Sequence, residues 1–380
     1  TASISFAMLS NWSEFNIFET ACHVPQGALF VELFHAVDHG LDILGPLQLP
    51  MTSLVPALAA AQASYEEPYT GDPNMYHTAL HGAEVLCSAV SMLAKVPRRC
   101  FGTRLPALSK LALALSALLH DLLHPGMQAC FLEAVKHPVT FTYCDSSPLE
   151  RMHLSAIFRL LHTHGCLQRL KLADFRRFRK LVSGMVLATD LSQGYNNTAT
   201  IKAAFPTVFM EGGPKSRLER SRSASDLDGI VPANDVSSEL LSLVVECADV
   251  SHPAKPLELH QSWSVLITHE FLRQGQLEEE LGLPISPLCS RSGAMDSASF
   301  ARSQQGFIDY VVRPKLGVLS KLCSKDTHWM EQLEENHAFW GSAENVSFQE
   351  VGSRVLAKSS TLEVALSRLH AEDMASSETN

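Results

Sequence analysis

The 380-residue chain is predicted to fold as a compact all-α domain, and three observations carry that expectation. Apolar residues recur at helical spacing in segment after segment, strand-like alternation is sparse, and histidines and aspartates stand at the ends of apolar runs. Asp72-Pro73 offers a cap and a first-turn proline for a helix reaching about Leu93, with Met75, Leu80, Ala83, Leu86, Val90 and Leu93 as its apolar positions. Further helices are expected at about 107–123, 149–163, 173–188, 237–249, 256–273, 299–320 and 360–371. Glu211 to Asn234 breaks the pattern: Gly212-Gly213-Pro214 leads into a Ser/Arg-rich run with the composition of a mobile surface loop. Its Arg-x-Arg-x-x-Ser pattern ends at Ser225 and has the form of a kinase site, though a solvated loop with chance arginines is the commoner meaning. A second loop is expected at 284–298, and a polar, disordered tail at 373–380. No internal repeat is visible.

Length alone allows one large domain or two fused lobes, and a single domain over 1–380 is the expectation. A net charge of −10 disfavours a nucleic-acid surface, which needs stripes of Lys and Arg to neutralise phosphates. An acidic chain that binds a small phosphate needs local positive charge, and a bound metal supplies it. Nine cysteines without a Cys-x-x-Cys pair point to free thiols in a reducing compartment rather than to disulfides or a cysteine zinc site. The longest apolar stretch, Leu111 to Leu119, is far short of the ~20 residues that span a bilayer, so an intracellular, cytoplasmic protein without membrane insertion is expected. The chain opens at Thr1 with no methionine and no secretory pattern, which suggests a segment of a longer protein whose other regions could regulate it or recruit it to a membrane.

The strongest local signal is His120-Asp121-Leu122-Leu123-His124-Pro125-Gly126. An apolar helix ending in His and Asp presents a nitrogen and a carboxylate to one place, and Pro-Gly is expected to stop it. His77 and His81 are spaced i, i+4, which puts both imidazoles on one face of the helix opened by Asp72. Asp249 ends another apolar run, Leu243 to Ala248. An isolated pair of this kind is more often structural. The order His, His-Asp, Asp on apolar helices, where an unpaired aspartate is costly, indicates a site for divalent cations.

With these residues in view, positions of about 60–350 resemble the class I cyclic nucleotide phosphodiesterases. Tyr76-His77-Thr78-Ala79-Leu80-His81-Gly82-Ala83-Glu84-Val85 is similar to the family's first motif, and His120 through Gly126 match its second. Tyr143 through Glu150, Leu187-Ala188-Thr189-Asp190, Cys247-Ala248-Asp249-Val250-Ser251 and Ser303-Gln304-Gln305-Gly306-Phe307 follow in the family's order. The resemblance implies an HD-type helical phosphohydrolase with a deep metal-containing pocket. By it, His81, His120, Asp121 and Asp249 hold the tighter metal, usually Zn2+, and Asp121 bridges to a second, Mg2+ or Mn2+. His124, Glu150 and Thr189 orient the waters of that second ion, and His77 is the general acid. Gln304 hydrogen-bonds the purine, Phe307 and Ile267 clamp its faces, and Tyr76 and His252 border the same pocket.

Several positions depart from the family pattern. Thr78 stands for Asn, Glu84 for Asp, Glu246 for His and His252 for Asn, while Leu123, Ala129 and Gly194 are also unusual. None removes an implied metal ligand, and the divergence suggests a protozoan member of the kinetoplastid type C group. The chemistry suits hydrolysis of a 3′,5′-cyclic phosphodiester. Two cations about 3.5–4 Å apart lower the pKa of a shared water and neutralise the phosphoryl oxygens. His77, placed to protonate O3′, contributes ~10²–10⁴ in rate. Two other readings compete: another HD-type nucleotide phosphohydrolase, against which the Gln-x-Gly-Phe segment weighs, and a non-catalytic cyclic-nucleotide sensor.

Overall fold

The computed structural model describes residues 4–66, 73–101, 104–192, 195–209, 237–292, 296–323, 327–342, 348, 351 and 352. All regular elements among them are helical. Along the chain come α1 (Phe6–Leu9), α2 (Ile17–His23), α3 (Leu29–Leu41), α4 (Leu44–Leu47), α5 (Val55–Glu66) and α6 (Ala79–Lys95). Then follow α7 (Ala107–Leu119), α8 (Ala129–Ala134), α9 (Pro138–Tyr143), α10 (Pro148–Thr163), α11 (Leu172–Leu187), α12 (Tyr195–Ala204) and α13 (Pro206–Phe209). The last five are α14 (Ser237–Asp249), α15 (Leu257–Glu280), α16 (Ser297–Phe307), α17 (Arg313–Leu322) and α18 (Trp329–Ser342).

The centre is a ring of four helices: α6 packs on α7, α7 on α11, α11 on α14, and α14 back on α6. Their sequences explain this arrangement. From Leu108 to Leu119 every residue of α7 is buried, as is every residue of α6 from Ala79 to Leu93, and helices apolar on all sides belong in a core. By contrast α11 is two-faced, burying Phe178, Leu181, Val182, Met185 and Val186 while its other side meets solvent. The remaining helices wrap the ring, and a smaller apolar cluster of Met127, Phe131, Leu132, Val139 and Leu149 lies under α8 to α10.

The expected helices at 149–163, 173–188 and 237–249 match α10, α11 and α14 to within one residue at each end. The one expected at 256–273 runs on to Glu280. The one expected at 299–320 is real but interrupted by a wide π turn, Ile308–Val312. Pro314, at the start of α17, has no N–H to donate and its ring crowds the turn before it, which accounts for the interruption. The helix expected from Asp72 begins only at Ala79, and that expected at 107–123 stops at Leu119, before Pro125-Gly126 rather than at them. The structure adds helices for which the sequence reading has no expectation, α3, α5 and α18 among them. Residues 211–234 with Ser225, 360–371 and 373–380, as well as Asp72 and Gly194, lie outside the described residues. The nine cysteines are free thiols, and no helix among the described residues is long and apolar enough to cross a membrane.

Candidate functional site

Helix direction decides which residues meet at one end of the ring. There α7, α11 and α14 stop, releasing His120, Thr189 and Asp249, while α6 starts with His81 in its first turn. Three helix C-termini bring the negative ends of their dipoles together, which favours a cation. Gly82 permits the close approach of α6 and α7: a Cβ at this position would lie 2.5 Å from the Leu118 carbonyl oxygen. Beyond His120 the chain turns sharply, with Leu123 at φ +66° and Gly126 at φ +67°. Asn74 ties this turn to the segment before α6 by donating to the carbonyls of His124 (2.7 Å) and His77 (3.3 Å).

The four residues expected to hold the tighter metal converge. His81 Nε2 is 3.0 Å from Asp249 Oδ1 and 3.5 Å from Asp121 Oδ2. His120 Nε2 is 2.9 Å from Asp121 Oδ2 and 3.2 Å from Asp249 Oδ1. Ligand atoms of all four lie within 4.8 Å of one another, and Asp121, His124 and His153 form a second such group that shares Asp121. His120 Nδ1 lies 3.0 Å from the Ala117 carbonyl oxygen and His153 Nδ1 2.9 Å from that of Leu122. A carbonyl accepts only, so each ring carries a proton on Nδ1 and turns Nε2 toward the carboxylates, the nitrogen that a cation would take in place of a proton. Burial alone would raise the Asp121 and Asp249 carboxyls, but His120 and His81 hold both well below the usual carboxylate range. Burial opposes charge on His120, yet Asp121 and Asp249 push its pKa well up. Buried carboxylates that draw positive charge, beside inward-facing imidazole Nε2 atoms, form a donor set that fits a hard or borderline divalent cation.

His77 is not on the helix with His81. It lies in a bend before α6, held from α15: Glu270 Oε1 accepts from the amides of Tyr76 (2.7 Å) and His77 (2.9 Å), and Oε2 accepts from His77 Nδ1 (2.6 Å). These bonds occupy backbone donors and keep residues 75–78 out of the helix, which corrects the shared-face expectation. The bend still brings His77 to the site, where its ring stacks on that of His124 at 3.7 Å. Burial lowers the His77 pKa, but Glu270 more than offsets this and the net shift is upward. Burial also governs the neighbours. His124 is held well below the usual histidine range, His153 falls to about 4, and Glu150 rises to about 7, pushed further by Asp190, Asp121 and Asp249.

Beside this cluster opens a cavity of about 680 Å³. Tyr76, His77, Asp121, His124, Glu150, Thr189, Asp249, His252, Ile267, Gln304 and Phe307 all line it, so most of the residues singled out in the sequence meet there, with His81 and His120 just behind. That volume lies within the ~300–1,000 Å³ range of small-molecule sites. The His252 ring lies parallel to Phe307 at 5.6 Å. Behind it, Trp340 Nε1–H donates to His260 Nε2 (2.7 Å), and His260 Nδ1 lies 3.0 Å from His252 Nδ1. An indole can only donate, so neutral His260 carries its proton on Nδ1 and gives it to His252, whose own proton is then on Nε2. Burial keeps both rings neutral, with His260 down at about 3.

Two departures from the family pattern have buried partners. Glu84 pairs with Lys255 at 2.8 Å, and Glu246 pairs with Lys315 at 2.7 Å and accepts from Asn197. Glu270, His153 and Asn74 join the site without having been expected from the sequence. Glu270 and His153 each carry a signal, a polar residue on the buried side of an amphipathic helix; Asn74 carries none.

The fold and the site together define a helical domain with a paired His/Asp donor set at the edge of a deep cavity. The family model for 3′,5′-cyclic nucleotide phosphodiesterases matches residues 76–333, and the chain belongs to that family. It is 33% identical over 296 residues to the mouse dual specificity calcium/calmodulin-dependent 3′,5′-cyclic nucleotide phosphodiesterase 1C, covering 77% of this chain and 37% of that one. It is 30% identical over 333 residues to mouse 3′,5′-cyclic-AMP phosphodiesterase 4C, covering 86% of this chain and 44% of the other. The chain thus spans less than half the length of these relatives. The phosphodiesterase domain of the RhoPDE fusion protein from the choanoflagellate Salpingoeca rosetta shares the fold, with a TM-score of 0.70 at 23% identity, over 90% of this chain and 98% of that one.

Proposed function

We propose that this chain, acting as a single catalytic domain, hydrolyses cAMP or cGMP to the 5′-monophosphate. The observation that carries the reading is the meeting of His81, His120, Asp121 and Asp249 beside His77, at the edge of a cavity that Gln304 and Phe307 also line. His81, His120, Asp121 and Asp249 hold Zn2+, while Asp121, with His124, Glu150 and Thr189 around it, serves Mg2+ or Mn2+. When bound, these cations supply Lewis acidity toward the phosphate and acidify water. The chain's residues do the rest. Phe307 and Ile267 enclose the base, Gln304 hydrogen-bonds its edge, and Tyr76 and His252 close the side wall. Water oxygen bonds to phosphorus and releases one proton to solvent, the P–O3′ bond breaks, and His77 gives O3′ the proton that Glu270 helps it hold, regaining one from solvent after turnover. Regulatory regions or partners would act from outside this chain.

The test compares release of 5′-nucleotide from cAMP and cGMP with turnover of 5′-AMP and dATP, with metal analysis of the same sample. Cyclic-nucleotide turnover is expected; turnover of dATP alone would make the protein a different HD-type hydrolase, and cyclic-nucleotide binding without product would make it a sensor. Asp249→Ala should lose metal and activity together, whereas His77→Ala should keep its metal and slow by ~10²–10⁴-fold. Equal metal loss in both variants would refute these roles.

A further inference from the structure

The largest charge asymmetry in the sequence lies away from the cavity. From Arg159 to Lys180 there are seven Lys and Arg against one acidic residue, Asp174, a net +6, so within a total of −10 the rest of the chain carries −16. The buried side of α11 leaves Leu172, Arg176 and Lys180, spaced i, i+4, i+8, along its outer side, with Arg177 and Arg179 flanking them. All five are exposed, as are Arg169 and Lys171 just before the helix and Arg159 on α10, which packs against α11. No carboxylate pairs with any of these cations among the described residues. Arg179 lies over the Phe158 ring, 5.2 Å from its centroid, which leaves its charge uncompensated.

Such a pattern works against the helix that carries it. Arg176 and Lys180 are like charges at i, i+4, and Arg176–Arg179 and Arg177–Lys180 repeat the conflict at i, i+3. An ordinary solvated face would intersperse acids. Leu172, 63% exposed at the first position of the same stripe, is a second cost unless something apolar covers it. A row of cations with an apolar residue at its edge matches the headgroup and acyl boundary of an anionic bilayer. The position is compatible with an open active site. Glu150 at the start of α10 and Thr189 just past the end of α11 line the cavity. The basic connection between the two 16-residue helices therefore lies at their far end. At 1.5 Å per residue that is roughly 24 Å away.

We infer that the outer side of α11 and the connection before it dock on an anionic membrane surface, with cations over the headgroups and Leu172 in the interface. This docking is independent of what the cavity hydrolyses. The test is co-sedimentation of the full chain with vesicles of phosphatidylcholine, alone or mixed with phosphatidylserine, across a salt series. Binding is expected only with phosphatidylserine and should fade as salt rises. Each Lys or Arg removed near such a surface weakens partitioning about fivefold, so Arg176→Glu/Lys180→Glu should weaken it at least about twenty-five-fold. That variant should melt no lower than the wild type, since it relieves the like-charge pairs, and should keep its hydrolysis, and the charge-matched Lys136→Glu/Lys202→Glu should still sediment. Leu172→Ala should bind more weakly with the same salt dependence. Equal sedimentation with both vesicle types, or an Arg176→Glu/Lys180→Glu variant that binds like the wild type, overturns the inference. Capture of polyglutamate or single-stranded RNA without phosphatidylserine binding also overturns it and gives the surface to an acidic protein or a nucleic acid.

Discussion

The proton on His77 is kept against burial by one carboxylate. Desolvation disfavours the imidazolium, and Glu270, 2.6 Å from Nδ1, reverses the balance so that the pKa ends above its ordinary value. Glu270 stays ionised under the same burial because His77 and two backbone amides face it. A general acid must be protonated to work, so activity should fall as pH rises through this raised pKa. Glu270→Gln removes the raising partner and leaves burial, which acts the other way. The alkaline limb of the kcat/KM profile should therefore move to lower pH, with the largest loss on the alkaline side and metal content unchanged. A profile that keeps its alkaline limb would separate Glu270 from the proton. Leu123 shows the opposite kind of residue, a large side chain at φ +66° and 41% exposed. A left-handed non-glycine residue costs ~1–2 kcal/mol, so Leu123→Gly should be neutral or stabilising in thermal unfolding, although glycine enlarges the entropy of the unfolded chain.

At the scale of elements, the site depends on how closely α6 and α7 approach. Gly82 follows His81, and Leu118, whose carbonyl it faces, precedes His120 by two residues, so any change in helix spacing also changes the distance between those imidazoles. Gly82→Ala must push backbone rather than a flexible side chain, and overpacking of this kind costs ~1–3 kcal/mol. Loss of stability should be accompanied by loss of metal affinity; full metal content in a destabilised variant would show that the cluster tolerates the shift. The sequence discloses helices such as α7 and α14 because their burial is written in continuous apolar runs. It discloses His120, Asp121 and Asp249 because each stands where such a run ends. The start of α6 could not be read in this way. Residues 75–78 are drawn out of the helix by Glu270, 194 positions beyond Tyr76, and local propensity carries no record of so distant an acceptor. The π turn at 308–312 was legible in principle from Pro314, whereas His153 joins the Asp121 group only through the turn that follows α7.

Across the whole molecule, the short segment between α14 and α15 is where distant parts of the chain meet. Trp12 from the N-terminal region donates to the Ala254 carbonyl at 2.9 Å, and Asn336 of α18 donates to those of Pro253 and Lys255. The Lys255 ammonium completes the junction, 2.8 Å from Glu84 of α6 and 4.0 Å from the Trp12 ring centroid, with only 1% of the residue exposed. His252, at the other end of this segment, lines the cavity, so the junction joins global stability to the shape of the pocket wall. Lys255→Met removes the cation and leaves the Glu84 carboxylate buried without its partner, a change that costs ~3–5 kcal/mol. Glu84→Leu/Lys255→Met removes both charges and their desolvation, and should recover most of that stability while losing the cation–π contact to Trp12. Denaturant unfolding should therefore rank wild type and the double variant close together, with Lys255→Met well below. KM for cyclic nucleotide should follow the same order, because His252 is held by the backbone that Lys255 anchors. If the double variant unfolds as easily as Lys255→Met, the ammonium acts through Trp12 packing and not through Glu84, and the two charges can be treated as independent.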